Sequence, residues 1–298
     1  MEGVSPMIAE TGLDCVGVVG SGLMGAEIAL VFALAGHDVR LVDVSQDKLD
    51  VATQRLKTLL AKGVTRGFYA TEESDLALAR IATTTDLADM ADRNLVVEAV
   101  FEQEAAKAKI FRQLDAVCSD DCVIATNTST IPITVLASHV SQSRRSRFIG
   151  THYFSPASRM KLVEVIPGSE TSDETTSHTL ALCRAIGKTP VTIKDVPGFA
   201  INRLLHVFMI EAVRLVEEGV ATVEDIDIAC RLGLGHPMGP FELMDATTSS
   251  LCLQAQEIMQ DAYGERFRPR PLLKQRVRAG YVGGRNSPGW RKPGSSKQ

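Results

Sequence analysis

Two small groups of residues in this chain have the types and spacing to do chemistry. The first is Gly20-Ser21-Gly22-Leu23-Met24-Gly25, a G-x-G-x-x-G run. It directly follows an apolar stretch rich in β-branched residues (16–19) and opens an apolar stretch at helical spacing (23–35). In that context the first glycine permits a tight turn and the second lets the backbone approach a pyrophosphate. The third lets helix and strand pack closely. The helix start then turns free N–H groups and its positive dipole end toward the phosphates. The pattern predicts a dinucleotide site built on Gly20, Gly22, Leu23, Met24 and Gly25. Asp43 closes the next strand-like run, 18 residues after Gly25. A carboxylate there can accept both ribose hydroxyls of the adenosine half and repels a 2′-phosphate, so NAD is expected over NADP. Its other reading, a helix N-cap, is better filled by Ser45.

The second group concerns proton transfer. Removing hydride from a secondary alcohol needs a base for the hydroxyl proton, and histidine is the default because its unperturbed pKa lies near working pH. Of the six histidines, His37 follows the helix-ending Gly36 and reads as a surface residue. His139 and His178 sit in polar stretches, His206 falls inside a helix and His236 in a Gly-rich loop. His152 differs, since it follows an expected strand (147–151) at the sheet edge where chemistry belongs in such folds. Downstream, Glu164 interrupts the apolar run Leu162-Val163-Glu164-Val165-Ile166. A carboxylate inside such a run needs a partner, and an imidazole N–H would serve while fixing the tautomer. The competing reading is an edge strand with Glu164 facing water. Two further glutamates, Glu98 and Glu102, end another expected strand; they are either ligands for the nicotinamide ribose or caps of the following helix. The run Thr126-Asn127-Thr128-Ser129-Thr130 offers hydroxyls for helix capping near Pro132, for substrate and nicotinamide, or for both.

The elements that must position these residues follow from the patterning. Strands are expected at 16–19, 39–42, 95–100, 122–126, 147–151, 161–166 and 191–194. Helices are expected at 23–35, 46–61 (closed by Gly63), 104–117 and 172–186. Alternation of this kind predicts an α/β fold: a Rossmann-type, doubly wound, mainly parallel sheet with helices on both faces. After Asp195-Val196-Pro197-Gly198 the chain turns helical, at 200–218, 223–231, 240–263 and 271–279. The boundary is therefore set near Val196, giving a NAD-binding domain over 1–195 and a smaller all-helical C-terminal domain over 196–298. The tail, 292–298, is polar and reads as disordered.

Together these stretches resemble the 3-hydroxyacyl-CoA dehydrogenase family, specifically its short-chain 3-hydroxybutyryl-CoA branch. The matching runs are GSGLMGAEIA at 20–29, VVEAVFE at 96–102, NTST at 127–130, HYFSPASRMKLVEVI at 152–166, PGFAINRLL at 197–205 and GLGHPMGPFELMD at 233–245. The resemblance implies NAD-dependent oxidation of an (S)-3-hydroxyacyl-CoA to the 3-oxoacyl-CoA. It implies His152 as general base, Glu164 as its orienting partner, Ser129 bonded to the substrate oxygen near the nicotinamide, and Asn202 holding substrate and imidazole. Glu102 and Lys107 would contact the NAD ribose and neighbouring groups. Ser155, where the family has Asn, would keep a shorter-reaching cofactor contact. Lys62 is the candidate for the CoA phosphate, with Arg66 and Lys57 as rivals; Asn286 replaces a frequent Lys, a contact Arg285 could take over. The C-terminal domain would carry much of a homodimer interface and close over the acyl-CoA. Three other readings stay open: a 3-hydroxyadipyl-CoA substrate from aromatic catabolism, a β-hydroxyacid dehydrogenase for free acids, and a non-enzymatic relative. The free-acid enzymes would use a Lys on the helix opened by Asn202-Arg203, which has no Lys up to Glu218.

Composition bounds the rest. The chain has 298 residues, 45% hydrophobic and 23% charged, enough for one large domain or two moderate ones. A net charge of −4 argues against bulk affinity for nucleic acid or an anionic membrane. No uncharged apolar run reaches spanning length. The six cysteines form no C-x-x-C pair and no cluster with histidine at metal-ligand spacing, so no metal is expected and reduced buried thiols are. The acidic first residues lack an apolar or Arg-rich targeting pattern, and a cytoplasmic enzyme follows.

Overall fold

The computed structural model describes residues 13–284 and 287–291. The chain divides into two compact units, 1–196 and 197–298. Among the described residues no helix is long and apolar enough to cross a membrane.

The first unit is built on one eight-stranded sheet: β1 Cys15–Val19, β2 Asp38–Val42, β3 Ile81–Thr84, β4 Leu95–Glu98, β5 Val123–Thr126, β6 Phe148–Tyr153, β7 Leu162–Pro167 and β8 Thr189–Thr192. Their order is β3-β2-β1-β4-β5-β6-β7-β8. From β3 to β6 every neighbour runs parallel; β7 then pairs antiparallel with β6, and β8 parallel with β7. Strand order reverses between β1 and β4, the switch point outside whose carboxyl edge such sheets bind ligands. The helices of this unit are α1 Leu23–Leu34, α2 Gln46–Thr65, α3 Thr71–Ala79, α4 Glu104–Val117, α5 Ile133–Ala137 and α6 Asp173–Ala185. Helix α1 is apolar on all sides and buried from Gly25 to Ala33, as a helix at the centre of a layer must be. It packs on β1 and β2, and Ile28, Leu30 and Phe32 share one core with Val16, Val18 and Leu41.

Several expectations need correction here. β3 and α3 were not foreseen: β3 is four residues long and only partly buried, too short to show a period. Gly63 does not close α2. It lies inside the helix, where a Cβ would fall 2.5 Å from the Tyr69 ring, and the chain turns instead at Gly67 (φ +71°). The 95–100 strand stops at Glu98, and the last strand lies at 189–192 rather than 191–194. His37 is buried against Phe32, ring centroids 5.5 Å apart, and is not a surface residue.

The second unit is helical: α7 Ile201–Glu217, α8 Val223–Gly233, α9 Pro240–Thr247, α10 Ser249–Tyr263 and α11 Pro271–Arg278. Its core gathers Met209, Val213, Phe241, Met244, Leu273 and Trp290. The expected single helix over 240–263 is broken at Thr248, whose φ of +82° leaves the helical region and whose hydroxyl caps the Leu251 N–H. The tail at 292–298 lies outside the described residues.

His206, on α7, is buried, and burial pushes its pKa down to about 4. The folded protein therefore keeps it neutral while the unfolded chain protonates near 6.5, so stability drains as pH falls from about 6.5 to about 4. Between pH 7.5 and pH 5 this residue alone is expected to cost about 2 kcal/mol. The His206→Phe variant should lose about that much less stability over this interval, as read by urea unfolding at the two pH values. An identical loss in both proteins would exclude the assignment.

Candidate active site

The glycine turn closes tightly between β1 and α1. Gly20 has φ +101°, and a Cβ there would lie 2.8 Å from the Ala99 carbonyl oxygen. A Cβ on Gly25 would lie 1.8 Å from the Gly20 oxygen, so only glycine lets the helix leave the strand this closely. Gly22, the N-cap of α1, differs: a Cβ there would meet nothing within 4 Å. Its backbone borders open space, next to a first helical turn free of acidic residues. That is the cradle a phosphate needs. Leu23 is about half exposed on the same rim and Met24 is partly buried. Arg55, unnoticed in the sequence, braces the turn from α2 by donating to the carbonyls of Ser21 (3.2 Å) and Gly22 (2.7 Å).

Asp43 follows β2 at this edge. Its carboxylate accepts from the Ser21 N–H (2.7 Å), the Ser21 hydroxyl (2.8 Å) and the Val44 N–H (2.7 Å). Burial alone would raise its pKa, but these bonds and Lys48, 3.6 Å away, outweigh it and hold the group below the usual carboxylate range. Asp43 is thus ionised at neutral pH beside the glycine turn, as selection for NAD requires. Val44 and Phe101, both strongly exposed apolar residues, flank the ends of β2 and β4. Isolated exposed apolar residues carry no sequence signal, so they were not singled out.

His152 and Glu164 meet because β6 and β7 are antiparallel and place them directly opposite each other. Opposed residues of such a pair share a face, with Cβ atoms about 5 Å apart. The His152 Nδ1 lies 2.8 Å from Glu164 Oε2, and both side chains are buried. With a carboxylate at Nδ1, that nitrogen carries the proton and Nε2 becomes the acceptor. Nε2 lies 3.0 Å from Ser129 Oγ. The reading of Glu164 as a solvent-facing edge residue is therefore excluded. Asn127 joins the loop to the dyad's strand: its Oδ1 accepts from the Tyr153 N–H at 2.8 Å.

The expected capping of the helix near Pro132 by the 126–130 hydroxyls is not what the structure shows. Asp195 takes that place, accepting from the Ile133 N–H (2.6 Å), the Thr134 N–H (2.7 Å) and the Thr134 hydroxyl (2.6 Å). Glu98 was open between a ribose ligand and a helix cap, and the resemblance implied Lys107 as a cofactor contact. Both are fully buried and ion-paired to each other at 2.7 Å. The second Glu98 oxygen accepts from Thr126 Oγ1 at 2.6 Å, so this pair lies under the edge rather than on it. Glu102 keeps some exposure, but one of its oxygens accepts from Thr128, Ser129 and Thr130. Ser155 is exposed, at a cis bond to Pro156. Lys57 and Lys62 lie on an exposed groove along α2 with Gln54, Thr58, Ala61 and Thr65, and Arg66 follows at the helix end. Asn202 lies in the first turn of α7, within the second unit. Arg285 and Asn286 lie outside the described residues.

Comparison with known proteins agrees with this geometry. Residues 15–196 match the model of the 3-hydroxyacyl-CoA dehydrogenase NAD-binding domain, and residues 198–292 that of the 3-hydroxyacyl-CoA dehydrogenase C-terminal domain. The chain belongs to the 3-hydroxyacyl-CoA dehydrogenase family. A probable 3-hydroxybutyryl-CoA dehydrogenase of Deinococcus radiodurans is 41% identical over 93% of this chain and 99% of its own. The 3-hydroxybutyryl-CoA dehydrogenase of Bradyrhizobium diazoefficiens is 40% identical over 92% and 94%. Among solved structures, the (S)-3-hydroxybutyryl-CoA dehydrogenase of Ralstonia eutropha superposes with a TM-score of 0.86 at 36% identity, covering 94% of this chain and 100% of that one. As a member of this family the chain is an NAD-dependent oxidoreductase, and the open Gly22 cradle with ionised Asp43 fits that cofactor.

The two glycines separate folding from binding. Gly22→Ala is expected to leave the melting temperature within about 2 °C while raising the Kd for NADH at least about tenfold, since its Cβ would enter the phosphate's space. Gly25→Ala should lower both stability and affinity. NADH fluorescence titration with thermal melts checks this; unchanged NADH affinity in Gly22→Ala would rule out the cradle.

Proposed function

We propose that the enzyme oxidises the C3 hydroxyl of an (S)-3-hydroxyacyl-CoA, with 3-hydroxybutyryl-CoA as its substrate, reversibly to the 3-oxoacyl-CoA, in fatty-acid β-oxidation or butanoate metabolism. The observation carrying this reading is His152 held between Glu164 at Nδ1 and Ser129 at Nε2. In the oxidative direction Nε2 takes the hydroxyl proton, and Glu164 offsets the positive charge that builds on the ring. Ser129 Oγ hydrogen-bonds the reacting oxygen and orients it toward Nε2. Bound NAD would supply the acceptor for the C3 hydride. The basic groove along α2, with Lys62 foremost, suits a CoA phosphate.

The second unit supports a homodimer. Leu204, Leu232 and Leu234 are strongly exposed there, and exposed apolar side chains of this size suit a surface that a second copy covers. The six cysteines are all free thiols, which suits the reducing cytoplasm.

Reduction of acetoacetyl-CoA by NADH tests the activity; comparison with longer and carboxylated 3-oxoacyl-CoAs tests the substrate. His152→Ala should lower kcat about 10²–10⁴-fold without changing NADH affinity. Near-normal turnover by a folded His152→Ala protein would end this reading. Asp43→Ala should weaken NADH binding more than acyl-CoA binding, and equal weakening of both would mean general damage. Leu232→Glu is expected to shift the sedimentation mass from dimer to monomer; a wild-type protein already monomeric at micromolar concentration would disprove the interface.

A further inference from the structure

The loop carrying Ser129 is bonded at each residue from 126 to 130, and most of those bonds end on two carboxylates of one ion-paired set. Thr126 Oγ1 donates to Glu98 at 2.6 Å. Asn127 accepts from the Tyr153 N–H at 2.8 Å. Glu102 Oε1 then collects four donors: Thr128 Oγ1 at 2.6 Å, Ser129 N–H at 2.8 Å, Thr130 N–H at 3.0 Å and Thr130 Oγ1 at 3.1 Å. Lys107 Nζ stands between the two carboxylates, 2.7 Å from Glu98 and 3.4 Å from Glu102. We propose that Glu102, aimed by the Glu98–Lys107 ion pair, is a positioning residue that sets the Ser129 hydroxyl opposite His152.

The physical case starts from the loop. Ser129 and Thr130 belong to neither a helix nor a strand, so their N–H groups have no ladder to satisfy them. Thr128 and Thr130 are buried, and a buried donor left without an acceptor is destabilising. One carboxylate oxygen replaces the missing ladder, and an ionised acceptor forms the stronger kind of hydrogen bond. Burial alone would raise the Glu102 pKa, but Lys107 and the loop donors outweigh that and hold it below the usual range. Ser129 Oγ stands 3.0 Å from His152 Nε2, so a loop shift of about 1 Å removes that contact, and misplacement on this scale can cost about 10²-fold in rate. Glu102 thus acts through Ser129.

This inference rests on the proposed role of the His152 site, and a double-mutant cycle keeps the two separable. Acetoacetyl-CoA reduction is measured with both substrates saturating for Glu102→Ala, Glu102→Gln, Ser129→Ala and Glu102→Ala/Ser129→Ala, with NADH affinity from fluorescence titration. Glu102→Ala is expected to lower kcat about 30-fold or more with both substrates saturating, whatever it does to NADH Kd. The double variant should be no slower than Ser129→Ala within about twofold, because residues acting as one unit are not additive. Glu102→Gln, which keeps an oxygen in the loop, should regain about a tenth or more of wild-type kcat, and it carries the same cycle if the alanine variant fails to fold. An unchanged kcat with weakened NADH binding would make Glu102 a cofactor contact only and overturn the proposal. Multiplying losses in the double variant would overturn it too. His152→Ala with normal turnover would remove the site itself, whereas a slow His152→Ala beside a normal Glu102→Ala would remove the clamp alone.

Discussion

Glu98, Lys107, His152 and Glu164 are all buried at the carboxyl edge of the sheet. An ion left unpaired in such a place costs several kcal/mol, so each of these groups must find an opposite charge or a set of donors. The structure answers with two pairings, Glu98 with Lys107 and His152 with Glu164. Both follow from how neighbouring elements are set against each other. Lys107 projects from the first turn of α4 back onto the end of β4. Glu164 faces His152 because of the register between β6 and β7. The first pairing supports the loop that holds Ser129; the second orients the imidazole that Ser129 meets. The apolar helices and strands behind them serve chiefly to hold these few bonds in place and keep water from competing.

Much of this was legible in the residues, and the parts that were not share a cause. The glycine turn, Asp43 and the alternation of strands and helices announce themselves, because each depends on local backbone conformation or on periodic burial. Gly63 misled because a glycine inside a helix looks like a stop signal until the Tyr69 ring that needs the space is seen. The helix over 240–263 read as continuous because Thr248, the residue that breaks it, is an ordinary polar residue in the sequence. Glu98 was open between a ribose ligand and a helix cap from its place at the end of β4, and Lys107 entered only through the family resemblance; neither says on which side of that edge the side chain lies. Their mutual burial depends on how α4 leans on β4, a tertiary matter. The partnership of His152 and Glu164 was only one of two readings for the same reason: direction of strand pairing is invisible in a strand's own pattern.

The reversal of β7 has a further consequence for how this protein can vary over time. Side chains along a strand alternate between faces, so a slip of one residue between β6 and β7 would carry Glu164 away from the imidazole altogether. The connection between those strands, residues 154–161, is held as firmly: Ala157 is buried in the main core, Ser158 donates to Glu27 through its N–H and its hydroxyl, and Lys188 donates to the carbonyls of Ala157 and Met160. An insertion there would pull these anchors apart beside the reacting centre even where the ladder kept the proton-transfer pair intact. The strands and the turn that joins them are therefore alike unforgiving of a single added residue.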